Sequence, residues 1–295
     1  MKVKNLFPLA AFIVIVFASC SKSDSGGGTT PAPTPVVART IMDTGYGADL
    51  KQKMDIYLPA NRSTTSTKVL ILIHGGGWTG GDKSDFAAVI DTLKQRLPGY
   101  AIFNLNYRLA SFPTNNLFPT QEMDIKTAVE SIYNNRSAYL VSDKFVLMGT
   151  SAGGHLSLLQ AYKHRSVVKI KALVDFFGPT DMAALYNDYS TNIPTQFAIA
   201  SLMSGTPATN PALYQSSSPI QFVDALNCPT IVIQGGADPV VNATTQSQAL
   251  VTKLSSFSVP NQYVFYPAGG HGDWDAATYT DAFNKIQVFL GVHVP

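Results

Sequence analysis

Phe145-Val146-Leu147-Met148-Gly149-Thr150-Ser151-Ala152-Gly153 is an apolar run that breaks into a Gly-x-Ser-x-Gly turn. Four apolar residues suit a buried strand. The flanking glycines permit a sharp strand-to-helix turn that leaves the Ser151 hydroxyl exposed at the end of a sheet. An ordinary helix N-cap would account for a Ser here, but it would not need glycines at 149, 153 and 154. Upstream, Val69-Leu70-Ile71-Leu72-Ile73 runs into His74-Gly75-Gly76-Gly77-Trp78 in the same manner. Backbone at consecutive glycines can approach a bound molecule closely and offer N–H groups to a developing oxyanion. Either motif alone is a weak signal. Both together, in this order and each behind a strand-like run, make a strong one.

Outward from these two turns the chain alternates strand and helix. Strands are expected at 69–74, 100–105, 143–149, 172–177, 230–235 and 262–266, with two early ones at Thr40–Met42 and Met54–Leu58. Helices are expected near 83–97, 120–135, 152–164, 243–256 and 275–290. The strands are continuous Ile/Leu/Val/Phe runs, as in parallel sheets buried on both faces. The fold class is therefore α/β: one doubly wound, mostly parallel sheet with helices on both faces. Residues 179–225 form a short insert.

A Ser hydroxyl needs a base to take its proton, and the base needs an acid to orient it. In sheets of this type the chain order is Ser, Asp or Glu, then His. Asp238 follows Thr230-Ile231-Val232-Ile233 and the turn Gln234-Gly235-Gly236-Ala237. His271 sits in Ala268-Gly269-Gly270-His271-Gly272, after Gln262-Tyr263-Val264-Phe265-Tyr266. Ser151, Asp238 and His271 are the expected catalytic residues, each just beyond a strand's C-terminal end, where such sheets gather their chemistry. The other histidines have plainer readings. His74 holds the glycine loop in shape, His155 packs one helical turn after Ser151, His164 ends a helix, and His293 lies in the tail. Asp273 and Asp275 begin the last helix as caps or first-turn charges. The oxyanion donors are expected at Gly76, Gly77 and Ala152, with Gly75 shaping the turn.

These residues carry a resemblance. His74-Gly75-Gly76-Gly77-Trp78, Gly81-Asp82-Lys83, Asn106-Tyr107-Arg108-Leu109, Gly149 to His155, Ser218-Pro219, Gly235 to Val241 and Gly270-His271-Gly272 look like an α/β-hydrolase of the HGGG-bearing lipase/esterase group. The chain is similar to hormone-sensitive-lipase-like and to feruloyl- and acetyl-xylan-esterase-like carboxylesterases over about residues 40–291. The resemblance implies hydrolysis of carboxylic esters through an acyl-enzyme, with no cofactor and a small-molecule or polysaccharide ester as substrate. It also implies that Arg108 and Asp124 pair below the site, although a surface ion pair is the simpler expectation. Too little chain precedes the HGGG strand for a large N-terminal lid. An amidase, aryl-formamidase or peptidase would use the same triad, and aryl-formamidases share a similar loop.

At the N-terminus, Lys2 and Lys4 precede an apolar run from Leu6 to Phe17 and then Ala18-Ser19-Cys20. The run is too short to span a membrane comfortably. We read residues 1–19 as a lipoprotein-type signal peptide, Cys20 as the lipidated residue, 20–36 as a Ser/Gly/Thr/Pro-rich flexible tether, and 37–295 as the catalytic domain. Membrane contact would then be through the lipid alone, with the enzyme extracytoplasmic on a bacterial membrane. The whole sequence has 21 Lys and Arg against 19 Asp and Glu; without the leader's two lysines the balance is 19 to 19, a net charge of zero. Nothing suggests nucleic acid, which selects a basic face. No His/Cys/Asp/Glu group has metal-ligand spacing, and no cofactor is expected. Cys228 has no intrachain partner once Cys20 is modified, so the fold rests on its core, which 45% hydrophobic residues amply supply.

Overall fold

The computed structural model describes residues 35–295. The expected signal peptide, Cys20 and nearly all of the tether lie outside the described residues. Eight strands form one sheet in the order β1-β2-β4-β3-β5-β6-β7-β8. These are β1 (Arg39–Gly45), β2 (Lys53–Leu58), β3 (Lys68–Ile73), β4 (Tyr100–Leu105), β5 (Phe145–Thr150), β6 (Ile170–Phe176), β7 (Thr230–Gly235) and β8 (Asn261–Tyr266). β1 and β2 pair antiparallel, as do β2 and β4, and every other pair is parallel.

The apolar strands read as continuous because both faces are covered. Val69, Ile71 and Ile73 of β3 join one core, while Leu70 and Leu72 join the other, as the two-residue period of a strand requires. The first core is closed by α2 (Thr120–Asn134), α4 (Ala152–Tyr162) and α8 (Ala249–Ser256), the second by α1 (Ala87–Arg96) and α9 (Ala276–His293). A short helix, α3 (Arg136–Tyr139), follows α2. This is the α/β-hydrolase fold that the two glycine turns pointed to. Among the described residues, no helix is long and apolar enough to cross a membrane.

The insert between β6 and β7 folds as α5 (Met182–Asp188), α6 (Ile193–Leu202) and α7 (Pro211–Ser216). Met182, Met203 and Tyr214 are buried beneath it, whereas Phe197 is exposed. The expected helix at 243–256 opens as a wide π turn over Thr244–Gln248 before α8 begins. The buried Gln246 side chain there accepts from the Thr180 and Asp181 amides at 2.8 and 2.9 Å, which ties the turn to the start of the insert.

Arg108 and Asp124 do not form a surface pair. The Asp124 side chain is 1% exposed, and it accepts from the Arg108 amide (2.9 Å), the Arg108 guanidinium (2.6 Å) and Gln52 Nε2 (2.7 Å). A buried carboxylate needs that many donors. The third donor comes from 72 residues away in sequence, which is why the two residues alone read as a surface pair.

Candidate active site

Between β5 and α4 the chain turns on Ser151, whose backbone stands at φ 53°, ψ −120°. A non-Gly residue held there is strained, and such strain persists only when the surroundings enforce it. Here the Ser151 amide donates to the Phe176 carbonyl at 2.8 Å, and the Ser151 carbonyl accepts from the His155 amide at 3.0 Å. Gly153 explains the tightness of the turn. A Cβ at that position would stand 2.0 Å from the Ile73 carbonyl oxygen, so the first turn of α4 can lie against the end of β3 only without a side chain.

Three strand ends bring Ser151, Asp238 and His271 together. His271 Nε2 lies 2.9 Å from Ser151 Oγ, and His271 Nδ1 lies 2.8 Å from Asp238 Oδ2. The other oxygen of Asp238 accepts from the Val240 and Val241 amides at 2.7 and 2.9 Å. Burial opposes ionisation of Asp238, but the hydrogen bonds from His271 and from Val241 outweigh it and hold the carboxyl below its usual range. An ionised carboxylate only accepts hydrogen bonds. Nδ1 of a neutral His271 therefore carries the proton and donates, which leaves Nε2 free to accept from the serine hydroxyl. The ring rests on Phe177, with centroids 4.6 Å apart.

The glycine loop borders the same cavity, of about 630 Å³, into which Gly76, Gly77, Ser151 and His271 open. Gly76 has φ 104°, and a Cβ there would stand 2.2 Å from the Gly80 carbonyl oxygen, so no other residue could make this loop. The Gly76 carbonyl accepts from the Thr79 and Gly80 amides. Among the described residues, the amides of Gly76, Gly77 and Ala152 donate to no protein acceptor. Ala152 opens α4 next to Ser151, but it is not part of the cavity wall.

His74 stacks on Tyr107 with ring centroids 4.3 Å apart, and its Nδ1 lies 2.8 Å from the Gly75 carbonyl oxygen. Trp78 is buried and also lines the cavity. Its indole donates to His155 Nδ1 at 3.1 Å, and His155 Nε2 lies 2.7 Å from the Ser217 carbonyl. Burial pushes His155 down to about 4, so the ring is neutral at neutral pH and can accept from the indole. The pair thereby joins the glycine loop to the end of the insert. His164 meets Glu122, His293 packs on Phe289, and Asp275 caps α9 through the Thr278 amide. Among the described residues, no three His, Cys, Asp or Glu side chains gather as a metal ion would require.

The family model BD-FAE matches residues 54–254, well over half of the chain, from β2 into α8. The chain belongs to the BD-FAE family. This BD-FAE protein is 28% identical over 264 residues to Esterase LipC of Mycobacterium tuberculosis, covering 83% of this chain and 63% of LipC. It thus spans less than two thirds of that relative's length. Among solved structures, a bifunctional GH43-CE protein of Bacteroides eggerthii superposes with a TM-score of 0.73 at 26% identity, over 87% of this chain and 38% of the other. A truncated carbohydrate esterase from gut microbiota shares the fold, with a TM-score of 0.69 at 24% identity, over 86% and 98% of the two chains.

Three residues of the candidate site escaped sequence reasoning. Gln234 is fully buried and donates through Nε2 to Asp238 Oδ2 at 3.1 Å, while its Oε1 accepts from Ser247 Oγ at 2.7 Å. A lone amide ending the apolar run Ile231–Ile233 was the available signal. Phe177 looks like one more core aromatic until the fold sets it beneath His271. Asp85 lies within the short turn Lys83–Phe86, and only the fold carries it to the cavity wall.

Proposed function

We propose that this protein is a serine-dependent carboxylic ester hydrolase that works through an acyl-enzyme. The relay from Ser151 through His271 to Asp238, opening on the cavity bordered by Gly76 and Gly77, carries that reading. Ser151 Oγ adds to the ester carbonyl as His271 Nε2 takes its proton. The tetrahedral oxyanion is met by the amides of Gly76, Gly77 and Ala152. His271 then gives the proton to the departing alkoxide, which leaves an acyl group on Ser151. Water, deprotonated by His271, releases the acid and restores the serine. Asp238 stays ionised and stabilises the imidazolium.

The kinship with LipC supports the ester bond as the target. For the substrate we propose acetyl or feruloyl esters of plant polysaccharide, in keeping with the resemblance stated above and with a cavity walled by Trp78, Phe112, Phe177, Leu185 and Tyr189. The same reading places the enzyme outside the cytoplasm on a bacterial membrane, held through a lipid on Cys20 and a tether over 20–36. The test combines fluorophosphonate labelling with turnover of short p-nitrophenyl esters, acetylated xylan, methyl ferulate and matched amides. Labelling should vanish in Ser151→Ala. No ester turnover would defeat the esterase reading, and activity on short aryl esters alone would defeat the polysaccharide refinement. Incorporation of a fatty-acid analogue, lost in Cys20→Ala, tests the anchor.

A further inference from the structure

The charge of the cavity is one-sided. Among the described residues that line it, Asp85 is the only acidic one, and no Lys or Arg is present. The insert contributes nothing to offset it, since Tyr189 to Val223 runs without an Asp, Glu, Lys or Arg. The cation nearest in sequence, Lys83, is turned away, with its ammonium held by Asp43 at 3.0 Å and Asp55 at 2.7 Å.

Asp85 is also fixed in place. It lies on the 3-10 turn Lys83–Phe86, which Asp82 caps, and its Oδ2 accepts from the Asp82 amide at 3.1 Å. Its Oδ1 has no protein donor among the described residues. The residue is exposed where it borders the cavity. Its field reaches beneath the glycine loop, where it favours the charged form of His74 against the stronger effect of burial.

A fixed charge at the wall of a cleft with low-dielectric sides biases which ligands enter. We infer that Asp85 sets the charge preference of the site: it admits neutral and cationic esters and turns away esters that carry a carboxylate. This rests on the esterase reading and narrows it. Esters of neutral sugars fit, and esters on or beside a uronate do not.

The experiment compares kcat/KM for charge-matched pairs at low salt. One pair places the charge on the leaving group: acetylcholine and its isostere with tert-butyl in place of trimethylammonium. The other places it on the acyl group: the p-nitrophenyl esters of an ω-trimethylammonio acid and of its tert-butyl isostere. A third set uses the p-nitrophenyl monoester of a dicarboxylic acid against the ester of an uncharged acid of the same length. In at least one cationic pair the charged member should be favoured about three- to fivefold, the scale of an exposed, partly screened carboxylate. That ratio should collapse toward one when salt shortens the Debye length to about 3 Å, near 1 M.

Asp85→Asn keeps an acceptor for the Asp82 amide and should remove the preference. Asp85→Lys should reverse it and raise turnover of the anionic ester relative to its neutral partner. A wild-type ratio near one in both cationic pairs, or a ratio that neither variant moves, overturns the inference. Failure to turn over even the uncharged esters overturns the esterase reading itself, and this inference with it.

Discussion

At the scale of single residues, the site is a chain of dependencies. In the proposed mechanism, Ser151 needs His271 to take its proton, and His271 needs Asp238 to hold the right tautomer. Ser151→Ala and His271→Ala should each remove nearly all turnover, and the double variant should be no worse than either, because the residues act as one unit. Asp238→Asn should leave the circular dichroism spectrum unchanged yet lower kcat by on the order of 10³–10⁴. Near-normal kcat in Asp238→Asn would move the acid elsewhere, with Asp273 next in line. Gln234 supports the acid from behind through its 3.1 Å contact to Oδ2. Gln234→Leu should therefore lower kcat by about tenfold with little change in KM, the mark of a group that positions rather than binds. Ser151, Asp238 and His271 were legible in the sequence because each follows an apolar run in a glycine-bearing turn. Gln234 and Phe177 were not, because their roles depend on which loops meet across the sheet rather than on any local pattern.

At the scale of elements, the turn at Ser151 depends on α4 reaching β3. The 2.0 Å approach at Gly153 is to backbone, which cannot swing aside. Gly153→Ala should cost about 3 kcal/mol in denaturant unfolding and displace Ser151. The far end of α4 is held differently. Glu122 of α2, buried to 3% exposure, pairs with Lys163 at 2.7 Å and His164 at 2.5 Å. Burial opposes its ionisation, yet the hydrogen bonds from His164 and Lys163 win and hold the carboxyl below its usual range. A depressed carboxyl adds stability that is present above its unfolded pKa, about 4.3, and lost as pH falls through the lower folded value. Glu122→Gln should thus melt below wild type at neutral pH, by about 2 kcal/mol, and the two should converge on acidification below about pH 4. Equal melting at neutral pH would show that the cluster contributes nothing. The elements themselves were largely legible, because strands such as Val69–Ile73 and Ile231–Ile233 are apolar without interruption. The π turn at Thr244–Gln248 and the burial of Asp124 were not, since each answers to a distant partner: the Thr180 and Asp181 amides for the first, Gln52 for the second.

At the scale of the whole molecule, buried carboxyls and the buried His155 together shape how stability varies with pH. Glu122 and Asp238 are both depressed, so each withdraws support only in acid. Asp175 acts in the opposite sense. It sits on β6 beside Gly149 of β5, wholly buried, with Oδ1 accepting from the Gly178 amide at 3.1 Å and Oδ2 without a partner among the described residues. Burial pushes its carboxyl up to about 7. A raised carboxyl favours folding fully below its unfolded pKa, about 3.9, and that support is lost as pH rises through the folded value. Asp175 alone should thus lower stability between about pH 4 and about pH 7, while the buried neutral His155, pushed down to about 4, acts against it by withdrawing support as pH falls below about 6.5. Asp175→Asn cannot ionise, and it keeps the acceptor for Gly178 while placing an unpartnered amide donor where Oδ2 was. It should lie below wild type near pH 5, where the native carboxyl is protonated, and gain on it by about 3–6 °C as the pH is raised to 8. Parallel melting curves would mean that the carboxyl does not change protonation between those pH values. A Cβ at Gly154 would stand 2.2 Å from Asp175 Oδ1, so any charge that forms there forms directly under the first turn of α4. The stability that Asp175 loses as it ionises near pH 7 should accordingly appear first as faster amide hydrogen exchange around Ser151 in wild type than in Asp175→Asn, ahead of the outer strands β1 and β2.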